Sequence, residues 1–337
     1  MTQRANDISV VICAYTEDRW NDLVAAVESV RRQTLPAREI LVVVDYNPDL
    51  LKKVQEQISG VVAVENREAR GVSGARNSGI ALARGRIIAF LDDDAIAAPD
   101  WLLVLTEGFT NPQVTATGGA VTPLWLNKAP AWFPEEFYWV VGCTYRGMPR
   151  SATAVRNLVG ANMSFRREVF DCLDGFRNDI GRVGTRPIGC EDTELCIRMH
   201  QRRPQSIILY QPQACVSQWV PGTRASWRYF CSRCYSEGLS KAAITRYVGL
   251  QDGLASERSY TLRTLPEGVV RGLTDALLRR DPTGFARAGA IVVGLAATTA
   301  GYVMGSTLSK GAILGGIRLT TLLHHTPRIL RVGRVRS

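Results

Sequence analysis

The segment Arg86-Ile-Ile-Ala-Phe-Leu-Asp-Asp-Asp94 joins a short apolar run directly to three adjacent carboxylates. A run of this length and composition predicts a buried strand. Similar runs occupy residues 8–13 and 39–44, and a segment with helical spacing follows each of them. Such alternation favours a mostly parallel sheet with helices on both faces. We therefore expect an α/β domain whose chemistry lies at the carboxyl ends of its strands.

Further helices and a further strand are predicted along the chain. Helical spacing predicts helices over residues 17–32, 49–58 and 227–243, with a further one beginning near Ser73, and a strand over residues 61–64. We expect a catalytic domain over 1–222, with a nucleotide half to 118 and an acceptor half over 119–222. A helical extension over 223–283 and apolar helical segments with a basic tail over 284–337 complete the predicted organisation.

The carboxylates of Asp92, Asp93 and Asp94 repel one another, and beside a hydrophobic strand they need a cation. Mg²⁺ or Mn²⁺ meets that need, because both prefer oxygen ligands and in turn hold substrate phosphates. The two-residue period of a strand places Asp92 and Asp94 on one side and Asp93 on the other. An exposed acidic turn without a ligand is the alternative.

A second motif, Arg70-Gly-Val-Ser-Gly-Ala-Arg-Asn-Ser-Gly79, combines turn-forming glycines with the start of a helix. Free N–H groups at a helix start suit an anion, Ser73 is a candidate N-cap, and Arg70 and Arg76 are candidate phosphate contacts. The motif matches neither the Walker A pattern nor the dinucleotide fingerprint. An ordinary junction between a loop and a helix explains it equally well.

A third motif places Glu191 and Asp192 at the start of a predicted helix. A carboxylate held near an acceptor hydroxyl accepts its proton as a general base. The alternative is electrostatic capping, since the positive end of a helix dipole favours acidic residues there.

These motifs, in this order, resemble those of the family-two glycosyltransferases, which are inverting GT-A enzymes that use nucleotide-activated sugars. The resemblance covers residues 8–220. It implies transfer of a sugar, with UDP-sugars as the expected donors, by one displacement that depends on Mg²⁺ or Mn²⁺. The pattern over the whole chain also resembles actinobacterial proteins of the glucosyl-dolichyl-phosphate glucuronosyltransferase-like group, which implies a lipid-linked acceptor of the polyprenyl-phosphate type or a cell-envelope glycan.

The resemblance also implies roles for individual residues. Asp192 with Glu191 forms the catalytic pair, with Asp192 as the base, and Asp94 with Asp92 holds the metal. The donor is expected to contact Ala14, Tyr15, Glu17, Asp45, Arg70, Arg76, Asp92 and Asp93. The sugar and acceptor are expected near Gly160, Ala161, Asn162 and Trp132.

Three departures from the family pattern limit what the resemblance implies. Tyr46 follows Asp45 where many members carry a second acidic residue, so the identity of the nucleotide base in the donor is open. Gln218 stands where some members place a histidine beside the metal or diphosphate. The Gln-x-x-Arg-Trp motif of processive synthases is absent from the sequence, which favours a single addition.

A net charge of +10 on 337 residues is typical of proteins that bind nucleic acid. The distribution of the basic residues along the chain argues against such a partner. Seven basic and no acidic residues follow Asp281, and the rest of the chain carries 34 basic against 31 acidic residues. Residues 288–308 lack charge, and 311–323 form a second apolar stretch interrupted by Arg318. We expect association with the cytoplasmic face of a membrane, with arginines on anionic headgroups and no nucleic-acid partner. A soluble cytoplasmic protein with a helical cap is the alternative.

Other features leave choices open. The eight cysteines show no disulfide framework. The pair Cys231 and Cys234 on a predicted helix indicates buried or semi-buried thiols, with a metal or redox site as the alternative. The aromatic residues between 118 and 160 form either a subcore or a platform for the acceptor. A sugar-phosphate nucleotidyltransferase and a non-catalytic nucleotide-sugar or glycan-binding module are the alternative functions.

Overall fold

The computed structural model describes residues 7–126, 128–182, 189–253 and 255–307. The nine strands in these ranges are β1 (Ile8–Ala14), β2 (Glu39–Val44), β3 (Val62–Glu65), β4 (Ile87–Asp92), β5 (Ala95–Ala97), β6 (Val114–Trp125), β7 (Thr153–Ala154), β8 (Asn162–Arg166) and β9 (Ile207–Val220). The α-helices are α1 (Trp20–Arg31), α2 (Pro48–Gln57), α3 (Val72–Leu82), α4 (Trp101–Gly108), α5 (Glu168–Leu173), α6 (Glu191–Arg202), α7 (Trp227–Val248), α8 (Leu250–Gly253), α9 (Ala255–Ser259), α10 (Leu265–Leu278) and α11 (Thr283–Thr307). Short 3-10 helices lie at Glu17–Arg19, Glu135–Val141 and Gly222–Ala225, and a π-helix lies at Tyr260–Thr264.

The strands form one mixed sheet in the order β3-β2-β1-β4-β8-β6-β9-β5, with β7 paired to β9. The four strands from β3 to β4 are parallel, as predicted from the alternation of strands and helices. Strand β8 is antiparallel to both β4 and β6, whereas β6 and β9 are parallel to each other. The carboxyl ends of β1, β2 and β4 therefore lie side by side, which brings Ala14, Asp45 and Asp92 to the same edge.

Both faces of the sheet are covered. Val10 and Ile12 of β1 belong to one buried cluster, and Val11 belongs to a second cluster on the opposite face. Because successive side chains of a strand point to opposite faces, this division shows that β1 is packed from both sides. The α/β architecture with helices on both faces is confirmed.

Helix α3 begins near Ser73 as predicted, but the predicted N-cap residue was wrong. Gly71, with φ of +122°, is the N-cap, and Ser73 lies inside the helix, where its hydroxyl donates to the carbonyl of Ile180 at 2.6 Å. A side chain at position 71 would be strained at this φ, so glycine permits the turn into the helix.

The C-terminal helices pack on the catalytic core. Phe230 of α7, Leu265 of α10 and Ile291 of α11 belong to the same buried cluster as Val10 and Ile12. The predicted domain boundaries at 222 and 283 stay predictions. The second apolar stretch at 311–323 and the basic tail lie outside the described residues.

Helix α11 lies along α7 with close backbone contact. A Cβ added at Gly301 would stand 2.0 Å from the carbonyl oxygen of Tyr235, and one at Gly238 would stand 2.0 Å from that of Thr298. Only glycine allows helices this close. Among the described helices, α11 is the one long and apolar enough to cross a membrane.

The described cysteines are free thiols. Cys234 is buried in the core, and Cys231 is half-buried and packs against it, so the expectation of buried or semi-buried thiols on α7 is confirmed.

Candidate functional site

Two cavities open side by side at the carboxyl edge of the sheet. The first, here called the carboxylate cavity, has a volume of about 340 Å³ and is lined by Ala14, Tyr15 and Asp45 together with the triplet Asp92 to Asp94. The second, the aromatic cavity, has a volume of about 320 Å³ and contains Asp192. Both cavities are lined by Asp92, together with Val72, Arg182, Gln218 and Arg233, so the predicted donor and catalytic residues lie on either side of a shared wall.

The acidic triplet does not alternate as the strand period predicts, because β4 ends at Asp92. Asp93 and Asp94 lie in the following turn, are each 4% exposed and share one cation. Arg19 Nη1 lies 2.8 Å from Asp93 Oδ1 and 3.2 Å from Asp94 Oδ2. Asp92 instead faces Arg76 at 3.4 Å. The orientation predicted for Asp93 was therefore wrong.

Burial affects the protonation of the triplet, although Arg19, Arg76 and Arg224 lie 2.8 Å from Asp93, 3.4 Å from Asp92 and 3.7 Å from Asp94, respectively. Burial and the neighbouring Asp94 and Asp92 carboxylates raise the pKa of Asp93 to about 7, although Arg19 opposes the shift. Burial also raises the pKa of Asp94, against the opposing effect of Arg19. Removing these groups from water favours their protonated forms. A further cation at this point would stabilise the ionised forms.

The donor set fits a hard divalent cation. Asp93 Oδ2 and Gln218 Oε1 are buried without a hydrogen-bond partner, while Gln218 Nε2 donates to Asp94 Oδ1 at 3.1 Å. Carboxylate and amide oxygens are ligands that Mg²⁺ and Mn²⁺ accept. Within the described ranges no group of three or more His, Cys, Asp or Glu side chains converges on one point. The protein thus offers a partial ligand set, the kind that Mg²⁺ completes with phosphate oxygens and water.

Asp45 lines the carboxylate cavity but is bonded to the protein. Its carboxylate accepts hydrogen bonds from the Gly71 backbone N–H at 3.0 Å and from Asn66 Nδ2 at 2.7 Å. These bonds fix the loop that leads into α3. The neighbouring Tyr46 has φ of +51°, a left-handed conformation that non-glycine residues seldom adopt.

Two residues expected at the donor lie outside both cavities. Glu17 is exposed and pairs with Lys53 at 3.2 Å, and Arg70 is exposed ahead of the Gly71 cap. Arg19, which the sequence analysis did not select, takes their place beside the carboxylates. It lies at the end of a 3-10 turn directly before α1, where no sequence motif distinguishes it.

Arg76 joins the three motifs. Its guanidinium donates to Glu191 Oε1 at 2.8 Å, to the Gly160 carbonyl at 3.2 Å and to Asp92 Oδ1 at 3.4 Å. The residue is 3% exposed. Arg76 lines the aromatic cavity beside Asp92 and Asp192. The sequence suggested a phosphate contact, whereas in the structure the side chain donates hydrogen bonds to groups of the protein.

Glu191 and Asp192 begin α6, after Cys190 in a left-handed conformation with φ of +75°. Burial and the adjacent Glu191 carboxylate raise the pKa of Asp192 to about 6, against the opposing charge of Arg76. The Thr193 backbone N–H donates to Asp192 Oδ1 at 2.7 Å. A carboxylate with a pKa near neutrality is suited to accept a proton at physiological pH. Strained backbone of this kind is common at functional sites.

The predicted sugar loop divides into two parts. Gly160 and Ala161 line the aromatic cavity, and a Cβ at Gly160 would lie 3.1 Å from Asp192 Oδ2. Asn162 is fully buried instead, since its amide bonds to Trp101 Nε1 and to the carbonyls of Ala120 and Ala214. Asn162 therefore holds strands together and does not face the cavity.

Trp132 was expected near the sugar and acceptor, but it lines neither cavity. It packs against Phe133, Trp227 and Phe230 in the aromatic subcore, outside the cavity lining. The rings that line the aromatic cavity are those of Phe137, Trp139, Tyr145 and Tyr260. The aromatic segment thus contributes rings both to the subcore and to the wall of a cavity, and its role as an acceptor platform stays a prediction.

A cluster of charged side chains was missed by the sequence analysis. Arg233, Glu237 and Lys241 of α7 line the aromatic cavity together with Arg156 and Glu257. A spacing of four residues places the three α7 side chains on one helix face. This repeat of opposite charges on a helix with many apolar residues was the signal that could have identified the cluster.

Comparisons with known proteins agree with this geometry. Residues 9–174 match the family model described as glycosyl transferase family 2. A glucosyl-dolichyl phosphate glucuronosyltransferase from Haloferax volcanii is 37% identical over 241 residues, covering 70% of this chain and 77% of that protein. The succinoglycan biosynthesis protein ExoM from Rhizobium meliloti is 25% identical over 240 residues, covering 68% of this chain and 72% of that protein.

Among solved structures, the mannosyltransferase PcManGT from Pyrobaculum calidifontis, in complex with GDP-Man and Mn²⁺, superimposes with a TM-score of 0.54. The match covers 88% of each chain at 16% sequence identity. At this identity the similarity concerns the fold.

Proposed function

Because the chain belongs to glycosyl transferase family 2, we propose that it is an inverting enzyme that moves a sugar from a nucleoside-diphosphate donor to an acceptor hydroxyl. A UDP-sugar is the first donor to test. The fold is of the GT-A type and the activity is glycosyl transfer. Family membership removes the sugar-phosphate nucleotidyltransferase alternative.

The observation that carries the proposal is the Arg76 junction, which holds Asp92 and Glu191 on one guanidinium. The donor phosphates belong in the carboxylate cavity, and the acceptor belongs in the aromatic cavity. The anomeric carbon then lies between them, near Asp92 and Gly160. Positioning of this kind supplies a large part of the rate enhancement in transfer reactions.

The oxygen of the acceptor hydroxyl attacks the anomeric carbon from the side opposite the leaving group, and Asp192 accepts the proton of that hydroxyl. Glu191 keeps the pKa of Asp192 raised, and Arg76 prevents it from rising further. Asp94 and Asp92, with Gln218 nearby, would hold Mg²⁺ or Mn²⁺, which when bound neutralises the departing nucleoside diphosphate. PcManGT, whose fold this chain shares, was solved with Mn²⁺.

The acceptor is proposed to be lipid-linked, of the polyprenyl-phosphate type, or a cell-envelope glycan. The Haloferax relative is named for a dolichyl phosphate substrate. Helix α11 supports association with a membrane surface by its length and composition, and we place this surface at the cytoplasmic face, where nucleotide sugars are made. The nucleotide-binding half over 1–118, the acceptor half over 119–222 and the helical regions that follow remain the proposed organisation.

The test combines donor binding with turnover. The full chain is heated with each nucleoside diphosphate, with and without Mn²⁺, and one nucleotide is expected to raise the melting temperature only when the metal is present. Saturation at about 100 times Kd corresponds to about 2.7 kcal/mol of stabilisation. Asp192→Asn is expected to keep this response and to lower turnover by about 10² to 10⁴-fold. Unchanged turnover in Asp192→Asn, or no response to any nucleotide, refutes the assignment.

A further inference from the structure

Arg19 lies on two carboxylates of the acidic triplet, at the wall of the carboxylate cavity. Its Nη1 is 2.8 Å from Asp93 Oδ1 and 3.2 Å from Asp94 Oδ2. The Arg19 side chain is 24% exposed, whereas those of both aspartates are 5% exposed. Arg19 is therefore the more accessible partner of the carboxylate that is proposed to hold the metal.

Both oxygens of Asp94 have partners in the protein. Oδ2 faces Arg19 and, beyond hydrogen-bond distance at 3.7 Å, Arg224 Nη1. Oδ1 accepts from Gln218 Nε2 at 3.1 Å. A divalent cation on Oδ2 has to share that oxygen with the Arg19 guanidinium, and like charges this close repel each other. Arg19 therefore opposes the binding of a metal ion at Asp94.

Arg19 keeps hydrogen-bond donors in reserve. Nη1 makes both ion pairs, while Nε and Nη2 donate to no residue in the ranges that the structure describes. The central carbon of the guanidinium lies 5.5 Å from the centre of the Tyr15 ring, which lines the same cavity. The N–H groups of this planar fork match the oxygens of a phosphate. Arg19 can thus bind a phosphate group in this cavity while Nη1 stays on a carboxylate.

Arg76, which contacts the third carboxylate of the triplet, has no comparable reserve. Its Nη1 donates to Glu191, and its Nη2 donates to Asp92 and to the Gly160 carbonyl. The residue is 3% exposed. A phosphate group reaches these donors only if buried hydrogen bonds break, which is costly, whereas Arg19 has to give up a single contact.

The backbone around Arg19 is fixed, so an exchange of partners involves the side chain alone. Thr16 Oγ1 accepts from the Asp18 backbone N–H at 3.2 Å, at the start of the 3-10 turn that ends at Arg19. Trp20 begins α1 and packs against the buried core. Rotation about the side-chain torsions of Arg19 therefore suffices to change its partners.

We propose that Arg19 couples the binding of the metal to the binding of the donor diphosphate. It keeps the closer contact with Asp93 and exchanges Asp94 Oδ2 for a phosphate oxygen, which leaves Asp94 Oδ2 to Mg²⁺ or Mn²⁺. This inference rests on the proposed function and adds to it a positioning residue. The diphosphate then raises the affinity for the metal, and the metal raises the affinity for the diphosphate by the same factor.

The test measures Mn²⁺ binding to the full chain by calorimetry, alone and with a fixed concentration of inorganic pyrophosphate. Pyrophosphate supplies the diphosphate group whichever nucleotide the donor carries. The titrations are corrected for the Mn²⁺–pyrophosphate complex in solution, which is the same in every sample. The wild-type chain should bind Mn²⁺ about tenfold more tightly with pyrophosphate, a coupling of about 1.4 kcal/mol.

Three variants assign this coupling to Arg19. Arg19→Gln should bind Mn²⁺ alone about tenfold more tightly than the wild type and gain little from pyrophosphate. Arg19→Lys keeps the charge but has one nitrogen in place of three, so it should still oppose Mn²⁺ alone and lose most of the gain. Arg86→Gln is the matched control and should bind Mn²⁺ like the wild type, because Arg86 is 88% exposed, pairs with Asp7 and lines neither cavity. The melting temperature of each variant verifies its folding.

The outcomes separate this inference from the proposed function. Unchanged or weaker binding of Mn²⁺ alone by folded Arg19→Gln, or an undiminished gain from pyrophosphate, overturns the coupling and leaves Arg19 as a partner of buried carboxylates. If Arg19→Gln does not fold, a full gain in Arg19→Lys overturns the coupling and a lost gain supports it. Mn²⁺ binding by the wild type without any gain from pyrophosphate also overturns it, while the metal site stands. Absence of Mn²⁺ binding under both conditions overturns the metal assignment of the proposed function instead.

Discussion

Replacing Glu191 by Gln tests the electrostatic control of the base. The pKa of Asp192 is about 6, and the negative charge of Glu191 is the largest cause after burial. At pH 5 about a tenth of the molecules then carry ionised Asp192, against about nine tenths at pH 7. Because the base must be deprotonated, kcat/KM of the wild type should fall about tenfold between these pH values.

Glu191→Gln removes the like charge and takes from Arg76 its ionised Glu191 partner, so both changes lower the pKa of Asp192. A decrease of about one unit, equivalent to about 1.4 kcal/mol, leaves about half of the molecules active at pH 5. The ratio of kcat/KM at pH 5 to that at pH 7 should rise about fivefold. Glu107→Gln, an exposed carboxylate outside both cavities, serves as the control. An unshifted acid limb in Glu191→Gln refutes the reasoning, and loss of activity at every pH would transfer the proton-accepting role to Glu191.

Three further substitutions examine the metal, the catalytic loop and the helical packing. Asp94→Asn should abolish the Mn²⁺ dependence of nucleotide stabilisation, and a retained dependence would exclude Asp94 as a ligand. Gly160→Ala places a methyl group 3.1 Å from both Arg76 Nη2 and Asp192 Oδ2. It should lower kcat/KM about 10²-fold by displacing these groups, with the melting temperature nearly unchanged. Gly301→Ala should cost about 1–3 kcal/mol in urea unfolding, because its Cβ meets the Tyr235 carbonyl at 2.0 Å. Gly289→Ala in the same helix, with open space at its Cβ, should instead add about 0.5–1 kcal/mol. Equal effects of these two alanines would contradict the observed helix contact.

The sequence was informative where periodicity and strand order decide the structure. The apolar runs before Ala14, Asp45 and Asp92 predicted parallel strands, and parallel strands necessarily bring their carboxyl ends to one edge. The nearness of Asp92 to the carboxylate cavity therefore followed from local patterns. The exact ends of strands were harder to predict from the sequence. Nothing in the triplet itself indicates that β4 ends at Asp92 and that Asp93 faces Arg19.

Contacts between distant segments were not predictable. Trp132 and Trp139 have similar sequence environments, yet only Trp139 lines a cavity, because α7 covers the other ring through Phe230. Arg76 could be identified as a functional candidate, but its carboxylate partners lie 16 and 115 residues away along the chain. Tertiary packing decides such cases, and one sequence does not record it locally.

The backbone contact between α7 and α11 limits how the protein can meet a lipid bilayer. Helix α7 carries Arg233, Glu237 and Lys241, and charged groups are costly in hydrocarbon. As long as Gly301 rests on Tyr235, α11 cannot cross the bilayer without bringing these charges with it. The side of α11 that stays exposed bears Val292, Val303 and Met304. If α11 meets a lipid surface as proposed, its packing on α7 would fix the distance between that surface and Asp192.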